Sequence, residues 1–361
     1  MKINFLYRNL SLILISSLLT IASCKKDSVK PSDTSGGKAT KIGLYEVVSN
    51  NNRGVLINIT KVGSSVVNLK PYFDTGIGGL VLDANGILPS SFITSSGFSF
   101  SGDSTVVNNI TITNQTKTTT FGGGDTLYGN LAYAQVVVGN DKGNVVIKRV
   151  PFYLYYKAIA SDGSAIPAHA YDLFGASSRY SIVFSNNVPL TCPFSYYDPG
   201  NGLIRGYKMD ALGTANFSAA GNYEPVLTIG LTQADLNSGF FIEPLINVPS
   251  AGYIPVIPGN ITYVNVVLPT EMEFSTGYSH TVIMDENFAG DEGQLKPNAV
   301  VQILTTSGFK YLYTVTATNN ITLVANPYYT GTYTAMIGLD FFTQNQYLLD
   351  LQNHQMGIKN N

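Results

Sequence analysis

The sequence predicts an all-β protein built from two related lobes. Three observations carry this prediction: many short stretches of β-branched and aromatic residues, few helical signals, and a motif that occurs twice. Strand-like stretches bounded by Gly, Asn, Asp or Pro lie at residues 54–60, 145–156 and 311–315. Helical signals are confined to residues 233–236, which follow the N-cap residue Thr232, and to a turn or two within residues 338–349.

The composition excludes several classes of protein. Of the 361 residues, 12% are charged and 44% are hydrophobic, and the formal net charge is -2. The chain therefore has no basic face for nucleic acid. Low-complexity disorder is also excluded, because hydrophobic residues occur along the whole length. The length has room for two domains of ordinary size.

The N-terminal residues have the pattern of an export signal. Two basic residues, Lys2 and Arg8, precede an apolar run at residues 10–19 that is short for a membrane span. The run ends in Ile-Ala-Ser-Cys at residues 21–24, which resembles the bacterial lipobox, in which the Cys is lipidated and becomes the new N-terminus.

This resemblance implies a lipid anchor. We predict a signal peptide over residues 1–24, with Cys24 lipidated, and a flexible Lys-, Ser- and Pro-containing tether over residues 25–41. The start at Cys24 is also similar to that of many Bacteroidota lipoproteins. The expected location is outside the cytoplasm, on the outer membrane or the cell surface. With Cys24 lipidated, Cys192 has no partner for a disulfide and is expected to be a packed thiol.

The repeated motif is Phe-x-Thr-Gly. It occurs as Phe-Asp-Thr-Gly at residues 73–76 and as Phe-Ser-Thr-Gly at residues 274–277. The repeat predicts two lobes, residues 42–190 and 191–361, that meet at a shared site. The second position distinguishes the copies, since the first has the carboxylate of Asp74 and the second has the hydroxyl of Ser275.

Further motifs follow the repeated motif in the order found in one family, so that residues 42–361 resemble the pepsin-like aspartic peptidases. An apolar-apolar-Gly element occurs at residues 173–175 and again at 336–338, and the C-terminal pattern at residues 338–358 is similar to the family's ending. The resemblance implies a flap hairpin whose tip is Phe121, Gly122, Gly123, Gly124 and Asp125. It also implies a bilobal fold with a cleft between the lobes.

The family's chemistry explains the motif. Two carboxylates activate a water molecule and share one proton, because like charges so close cannot both ionise. One carboxylate accepts the proton of the water and the other donates to the peptide carbonyl. The resemblance assigns the catalytic positions to Asp74 and Ser275, and it assigns the support of the two turns to Thr75, Gly76, Thr276 and Gly277.

Three departures concern this chemistry. Ser275 replaces the second Asp, and a hydroxyl is not a general base near neutral pH. Ile77 and Tyr278 replace the Ser or Thr that usually follows each Gly, and Phe121 replaces the usual flap Tyr. We therefore expect a catalytically impaired homologue that binds an extended peptide or protein segment in the cleft. A single chain supplies both turns, so a monomer is expected.

The sequence leaves two alternative functions open. The first is an active endopeptidase in which Asp74 works with Glu273, which strand alternation places on the face of Ser275, or with a water held by Ser275. The second is a carbohydrate-binding or structural role, for which the 23 Tyr residues are weak support. A Ser275–His280 pair has no matching Asp. The three His residues are too scattered to predict a metal site, and no cofactor is expected.

Overall fold

The computed structural model describes residues 38–49, 52–213, 215–331 and 333–361. Strands account for 55% of the chain and helices for 7%, so the all-β prediction is confirmed. The predicted signal peptide, the lipidated Cys24 and nearly all of the tether lie outside the described residues. Within the described residues, no helix is both long enough and apolar enough to cross a membrane.

The strands are numbered here in chain order. The first thirteen are β1 Thr40–Ser49, β2 Asn52–Ile57, β3 Ile59–Val62, β4 Ser65–Leu69, β5 Tyr72–Asp74, β6 Gly78–Asp83, β7 Ile93–Thr94, β8 Gly97–Phe98, β9 Ser104–Val107, β10 Ile110–Phe121, β11 Asp125–Asn140, β12 Gly143–Ile159 and β13 Leu173–Ala176. The next seven are β14 Ile204–Met209, β15 Asn222–Leu231, β16 Phe241–Pro244, β17 Ile246–Val248, β18 Gly252–Ile254, β19 Val256–Tyr263 and β20 Val266–Phe274. The remaining strands are β21 Thr281–Met284, β22 Glu292–Gln294, β23 Val300–Thr305, β24 Lys310–Thr314, β25 Thr322–Ala325, β26 Ala335–Ile337, β27 Asn345–Asp350 and β28 Gln355–Asn360.

The helices are short. The α-helices are α1 Gln233–Leu236, α2 Pro327–Thr330 and α3 Leu339–Phe342, and the 3₁₀ helices are Ser90–Phe92, Gly122–Gly124 and Pro193–Tyr196. Helix α1 begins as predicted, because Thr232 Oγ1 accepts a hydrogen bond from the Asp235 N–H and the Asp235 carboxylate accepts one from the Thr232 N–H. Helix α3 lies within residues 338–349, where a turn or two of helix was expected.

Two sheets contain nearly all the strands. The larger has 16 strands in the order β16-β28-β27-β14-β15-β1-β2-β5-β13-β6-β12-β11-β10-β9, with β3 added to β11 and β4 to β3. The smaller has eight, in the order β22-β25-β21-β26-β20-β19-β23-β24. Strand β1 begins at Thr40, two residues before the expected start of the N-terminal lobe. The larger sheet also includes strands from both sides of the predicted boundary at residues 190 and 191.

Each lobe contains the same arrangement around its Phe-x-Thr-Gly turn. In the first, β13 is inserted between β5, to which it is parallel, and β6, to which it is antiparallel. In the second, β26 lies in the same way between β20 and β21. The inserted strands are the two apolar-apolar-Gly elements of the sequence, so residues far apart in the chain fix the end of each turn-bearing strand.

Buried aromatic rings anchor both turns. Phe73 is 1% exposed, and its ring centroid lies 5.9 Å from those of Phe174 and Tyr207. Phe274 is also 1% exposed and packs 4.7 Å from Phe341. Burying such a side chain stabilises the fold by about 1.5–3 kcal/mol relative to leaving it in water. Each reactive position therefore follows a residue that is fixed in the core.

One predicted strand contains a proline. Residues 145–156 include Pro151, which has no backbone N–H to donate to the ladder. In the structure the stretch belongs to β12, which pairs with β11 along almost its whole length, including Pro151 opposite Tyr133. The long ladder with β11 carries the strand through a proline that would interrupt a short one.

Candidate functional site

The two Phe-x-Thr-Gly turns lie face to face. Thr75 Oγ1 donates a hydrogen bond to the Phe274 carbonyl oxygen at 2.8 Å, and Thr276 Oγ1 donates to the Phe73 carbonyl oxygen at 2.6 Å. Each hydroxyl also accepts from the backbone N–H of the other Thr, at 3.2 and 3.1 Å. Both Thr side chains are buried. Four reciprocal hydrogen bonds therefore hold the turns of the two lobes in register.

The glycines bring the turns close together. A Cβ atom on Gly277 would lie 2.1 Å from Asp74 Oδ2, and one on Gly76 would lie 2.7 Å from Ser275 Oγ. Both distances are shorter than any ordinary contact, so a side chain at either position would displace the group opposite. Each Gly thus makes room for the reactive position of the other lobe.

The Asp74 carboxylate is bound on one side only. Its Oδ1 accepts hydrogen bonds from the backbone N–H of Gly76 at 2.8 Å, the Ser275 hydroxyl at 2.7 Å and the backbone N–H of Gly277 at 3.3 Å. Burial raises the pKa of this carboxyl, whereas the hydrogen bonds and the charge of Arg179 lower it in part. Within the described part of the chain, Asp74 Oδ2 has no hydrogen-bond partner.

Ser275 donates a hydrogen bond to Asp74. It is 0% exposed, donates to Asp74 and accepts from the backbone N–H of Gly277 at 3.1 Å. Among the described residues, His280 forms no hydrogen bond with Ser275, and its Nδ1 is buried without a partner. Burial lowers the pKa of His280. Ser275 is therefore paired with Asp74 and not with a histidine.

A second carboxylate, that of Glu273, lies near the turns but has a different partner. Its Oε2 accepts a hydrogen bond from Arg179 Nη1 at 2.8 Å, in a pair of which Glu273 is the more buried member. Its Oε1 faces Gly76, where a Cβ atom would lie 2.6 Å away. Burial raises the pKa of Glu273, Arg179 opposes the rise, and the charge of Asp74 adds to it. No carboxylate among the described residues is hydrogen-bonded to Asp74.

The flap is the hairpin of β10 and β11. Phe121 pairs with Asp125 across the tip, which turns through residues 122–124 with Gly123 and Gly124 at φ of 75° and 104°. Tyr171 holds this tip in two ways: its hydroxyl donates to Asp125 Oδ2, and its ring centroid lies 6.2 Å from that of Phe121. The other carboxylate oxygen of Asp125 accepts from the Ser161 N–H at 2.9 Å.

Two neighbouring cavities lie along the cleft. The first, of about 380 Å³, is bounded by the flap and by rings from the N-terminal lobe, and we call it the aromatic cavity; six of its lining residues are Tyr72, Asp74, Phe121, Tyr171, Asp172 and Gly277. The second, of about 450 Å³, we call the polar cavity; its lining includes Arg53, Tyr72, Gly277, Tyr278, Ser279 and His280. Tyr72 and Gly277 line both, so the cavities adjoin there.

The wall of the polar cavity is tied across the lobes. The Arg53 guanidinium forms an ion pair with the buried carboxylate of Asp340, and Ser279 Oγ donates to the Arg53 carbonyl oxygen at 2.9 Å. Strand β2 is thereby attached to the segment that follows the Ser275 turn. The two lobes are thus linked beside the polar cavity as well as at the turns.

Sequence reasoning missed four contributors to this site: Arg53, Tyr72, Tyr171 and Arg179. Tyr72 could have been predicted from strand alternation, because it lies two residues before Asp74 and so shares the strand face of Asp74. Glu273 has the same position relative to Ser275. Arg179 and Tyr171 lie on either side of the β13 element, and only the insertion of that strand beside β5 brings them to the turns. No local pattern marks Arg53.

The side chains of the described residues do not form a metal centre. No group of three or more His, Cys, Asp or Glu side chains there has the geometry to hold an ion. The other Cys, Cys192, is a buried free thiol whose pKa burial raises to about 12. It is therefore held in the unreactive thiol form.

Comparison with known proteins identifies the fold. No family model and no curated protein sequence matches the chain. Among solved structures it is similar to the aspartic proteinase from Irpex lacteus, with 15% identity and a TM-score of 0.57 over 90% of this chain and 97% of that one. It is also similar to the basic 7S globulin of soybean, with 12% identity and a TM-score of 0.55 over 90% and 95%.

A third similar structure is conglutin gamma, a basic 7S globulin from lupine seeds, with 11% identity and a TM-score of 0.56 over 90% of this chain and 96% of that one. At these identities the likeness concerns the fold alone. The chain has the bilobal all-β fold of the pepsin-like aspartic proteinases, as the sequence predicted.

Proposed function

We propose that this protein binds an extended peptide segment in the cleft between its lobes and hydrolyses peptide bonds poorly or not at all. The observation that carries the proposal is the hydrogen bond that Ser275 donates to Asp74. The Ser275 hydroxyl lies where peptide hydrolysis by this chemistry would need a second carboxylate. The fold does not determine the activity. It occurs in a protein named as an aspartic proteinase and also in two proteins named as basic 7S globulins.

The chemistry at Asp74 is incomplete for peptide hydrolysis. The reaction needs one group that accepts a proton from water and another that donates one to the carbonyl oxygen. Asp74 can act as one of these, but the Ser275 hydroxyl does not ionise near neutral pH. Losing one member of such a pair reduces the rate by about 10²–10⁴-fold.

The cleft retains what binding requires. The aromatic and polar cavities adjoin at Tyr72 and Gly277, so successive side chains of one extended segment could enter them. Grooves of this kind bind a strand through backbone hydrogen bonds and select it through side-chain pockets. The flap lies beside one cavity, where it can exclude water from the bound segment.

Attachment to a membrane is part of the proposal. It rests on the lipobox-like residues that end at Cys24, and it places the cleft outside the cytoplasm. Growth with an alkyne-labelled fatty acid should label the protein, and the variant Cys24→Ser should take up no label. A monomer is proposed because one chain supplies both turns, and light scattering in detergent measures its mass. The net charge of -2 is the ground for proposing that it binds no nucleic acid.

Peptide hydrolysis is tested directly. The full-length protein in detergent is incubated with a diverse peptide mixture from about pH 3 to 8, and products are read by mass spectrometry beside Asp74→Asn. We expect little or no cleavage that depends on Asp74, together with retention of some peptides by the immobilised protein. Efficient cleavage that Asp74→Asn abolishes would contradict the impaired-site proposal, and failure to retain any peptide would contradict the binding proposal.

One observation favours a second candidate, an active aspartic endopeptidase. Glu273 Oε1 and Ser275 Oγ lie 2.6 and 2.7 Å from the same point beside Gly76, which brings a second carboxylate close to Asp74. The Arg179 ion pair opposes protonation of Glu273, whereas burial and the charge of Asp74 raise its pKa. Equal loss of activity in Glu273→Gln and Asp74→Asn would establish this candidate.

A further inference from the structure

We propose that the aromatic cavity binds a basic side chain, lysine or arginine, of the peptide held in the cleft. The inference rests on the proposed peptide-binding function and specifies its ligand class. It is carried by the lining of the cavity, by the free oxygen of Asp74, and by the charges around them.

The lining of the cavity suits a cation. Tyr72, Phe121 and Tyr171 each present an aromatic ring, and Asp74 supplies a carboxylate. Neither lysine nor arginine is among the described residues that line it. Aromatic faces attract cations through the negative charge of the ring face, and sets of rings form cages for ammonium groups. A volume of about 380 Å³ lies at the small end of ligand pockets, which fits one side chain rather than a whole ligand.

Asp74 offers a hydrogen-bond acceptor that is fixed in advance. Its three hydrogen bonds all go to Oδ1, and none of the described residues donates to Oδ2. Oδ2 lies over Gly277, which also lines the cavity. An ammonium or guanidinium group there would form a charge-assisted hydrogen bond with a carboxylate that needs no reorientation. Ser275 thus becomes a positioning residue, since its hydroxyl holds the opposite oxygen.

Two carboxylates line the aromatic cavity, and of these Asp74 has no ion-pair partner among the described residues. Asp172 is paired with His169 at 2.9 Å. Glu273 is paired with Arg179 at 2.8 Å, and the charge of Arg179 lowers the pKa of Asp74 in part.

The flap tip, residues 121–125, contains a further carboxylate and no Lys or Arg. Asp125, at its tip, accepts a hydrogen bond from the Tyr171 hydroxyl, which is neutral. An acidic ligand side chain would therefore meet Asp74 and Asp125, whereas a basic one would neutralise Asp74.

Binding is tested with end-blocked hexapeptides that differ at one central position. Lys, Arg, norleucine and Glu are placed there in an otherwise apolar sequence, and affinities for full-length protein in detergent are measured by fluorescence anisotropy. We expect Lys and Arg peptides to bind at least about tenfold more tightly than norleucine, and the Glu peptide most weakly. Mass spectrometry of the recovered peptides confirms that they are intact.

Variants assign the preference to the cavity. Asp74→Asn should bring the ratio of Lys to norleucine affinities close to one, and Tyr72→Leu should reduce it in part. Asp103→Asn, which removes an exposed carboxylate bonded only to the side chain of Asn114, serves as the matched control and should leave the ratio unchanged. The preference should increase with pH above the ordinary Asp pKa of 3.8, as Asp74 ionises.

The outcomes separate the two proposals. If the peptides bind but Lys and norleucine bind equally, or if Asp74→Asn leaves the ratio unchanged, the basic-pocket inference is overturned and peptide binding stands. If no peptide in the set binds, both are overturned. If Asp74→Asn does not fold, Tyr72→Leu decides, because loss of a ring with no loss of preference would contradict the cation site.

Discussion

The turn at Asp74 and the turn at Ser275 share one scaffold and differ in one functional group. Each turn follows a buried Phe, donates a Thr hydroxyl to a carbonyl of the other turn, and places a Gly against the other's reactive position. The groups that hold the turns are therefore separate from the groups that would carry the reaction. The lobes can keep their geometry without a second carboxylate, and they avoid the repulsion of two close charges.

The two lobes also differ at the residue two positions before Asp74 and at the residue two positions before Ser275. Tyr72 lies in the N-terminal lobe, half exposed on the cleft, and contributes an aromatic ring to both cavities. Glu273 takes the equivalent place in the other lobe and is paired with Arg179. The cleft is consequently aromatic on one side of Asp74 and charged on the other.

The largest expected effect comes from breaking the shared scaffold. Thr75→Val and Thr276→Val each remove one hydroxyl that both donates and accepts, which leaves a buried carbonyl and a buried N–H without that partner. At about 1–3 kcal/mol per unsatisfied group, each variant should lose about 2–6 kcal/mol of the free energy of unfolding, measured in urea. Thr→Ser at either position keeps the hydroxyl and should lose far less. Unequal losses in the two turns would show that the scaffold is not symmetric.

The next effect comes from making the two turns chemically alike. Ser275→Asp would place a second carboxylate beside Asp74, and one of the two pKa values would rise. A carboxyl whose folded pKa is raised stabilises the folded state below its unfolded pKa, and this stability is lost as pH rises through the folded pKa.

The variant should therefore match the wild type near pH 4 and be less stable at pH 7, by about 1.4 kcal/mol for each unit of pKa shift. Thermal unfolding at both pH values measures this difference. Adding Asp74→Asn should remove it, and a pH-independent loss would point to steric strain instead. Gain of peptide cleavage by Ser275→Asp would show that only the second carboxylate is missing.

A smaller effect compares the two glycines. In Gly277→Ala the new Cβ would lie 2.1 Å from Asp74 Oδ2, whereas in Gly76→Ala it would lie 2.6 Å from Glu273 Oε1. Overpacking of this kind destabilises by about 1–3 kcal/mol, and we expect Gly277→Ala to lose more because Asp74 is held by three hydrogen bonds. A double-mutant cycle with Asp74→Ala should recover part of the loss, and additive effects would contradict the contact.

The smallest effect concerns the charged side of the cleft. Arg179→Gln removes the partner of Glu273, whose pKa burial already raises above 4.5, so that pKa should rise further. Since Arg179 is about a third exposed, the loss at pH 7 should be about 1 kcal/mol or less. At pH values where Glu273 is protonated in both states, the variant and the wild type should be equally stable. Urea unfolding across pH checks this, and a constant difference would exclude the ion pair as the cause.

Sequence pattern and site geometry were predictable to different degrees. The two turns follow from a repeated motif of adjacent residues, whereas the flap and the apolar-apolar-Gly elements are what the resemblance to the pepsin-like aspartic peptidases implied. Glu273 was placed near Ser275 by strand alternation alone. Its ion pair with Arg179 and the contact of Tyr171 with the flap tip could not be predicted, because each joins segments that meet only after β13 is inserted beside β5.

The sequence by itself determined the all-β class, the two related lobes and the presence of Asp74 in one turn and Ser275 in the other, because strand alternation, turn residues and side-chain identity are local properties of the chain. The tertiary structure decided which oxygen of Asp74 is occupied, which partner Glu273 has, and which rings surround the cavity beside the flap. These depend on hydrogen bonds and contacts between residues distant in the chain, and their geometry is fixed only when the two lobes pack against each other.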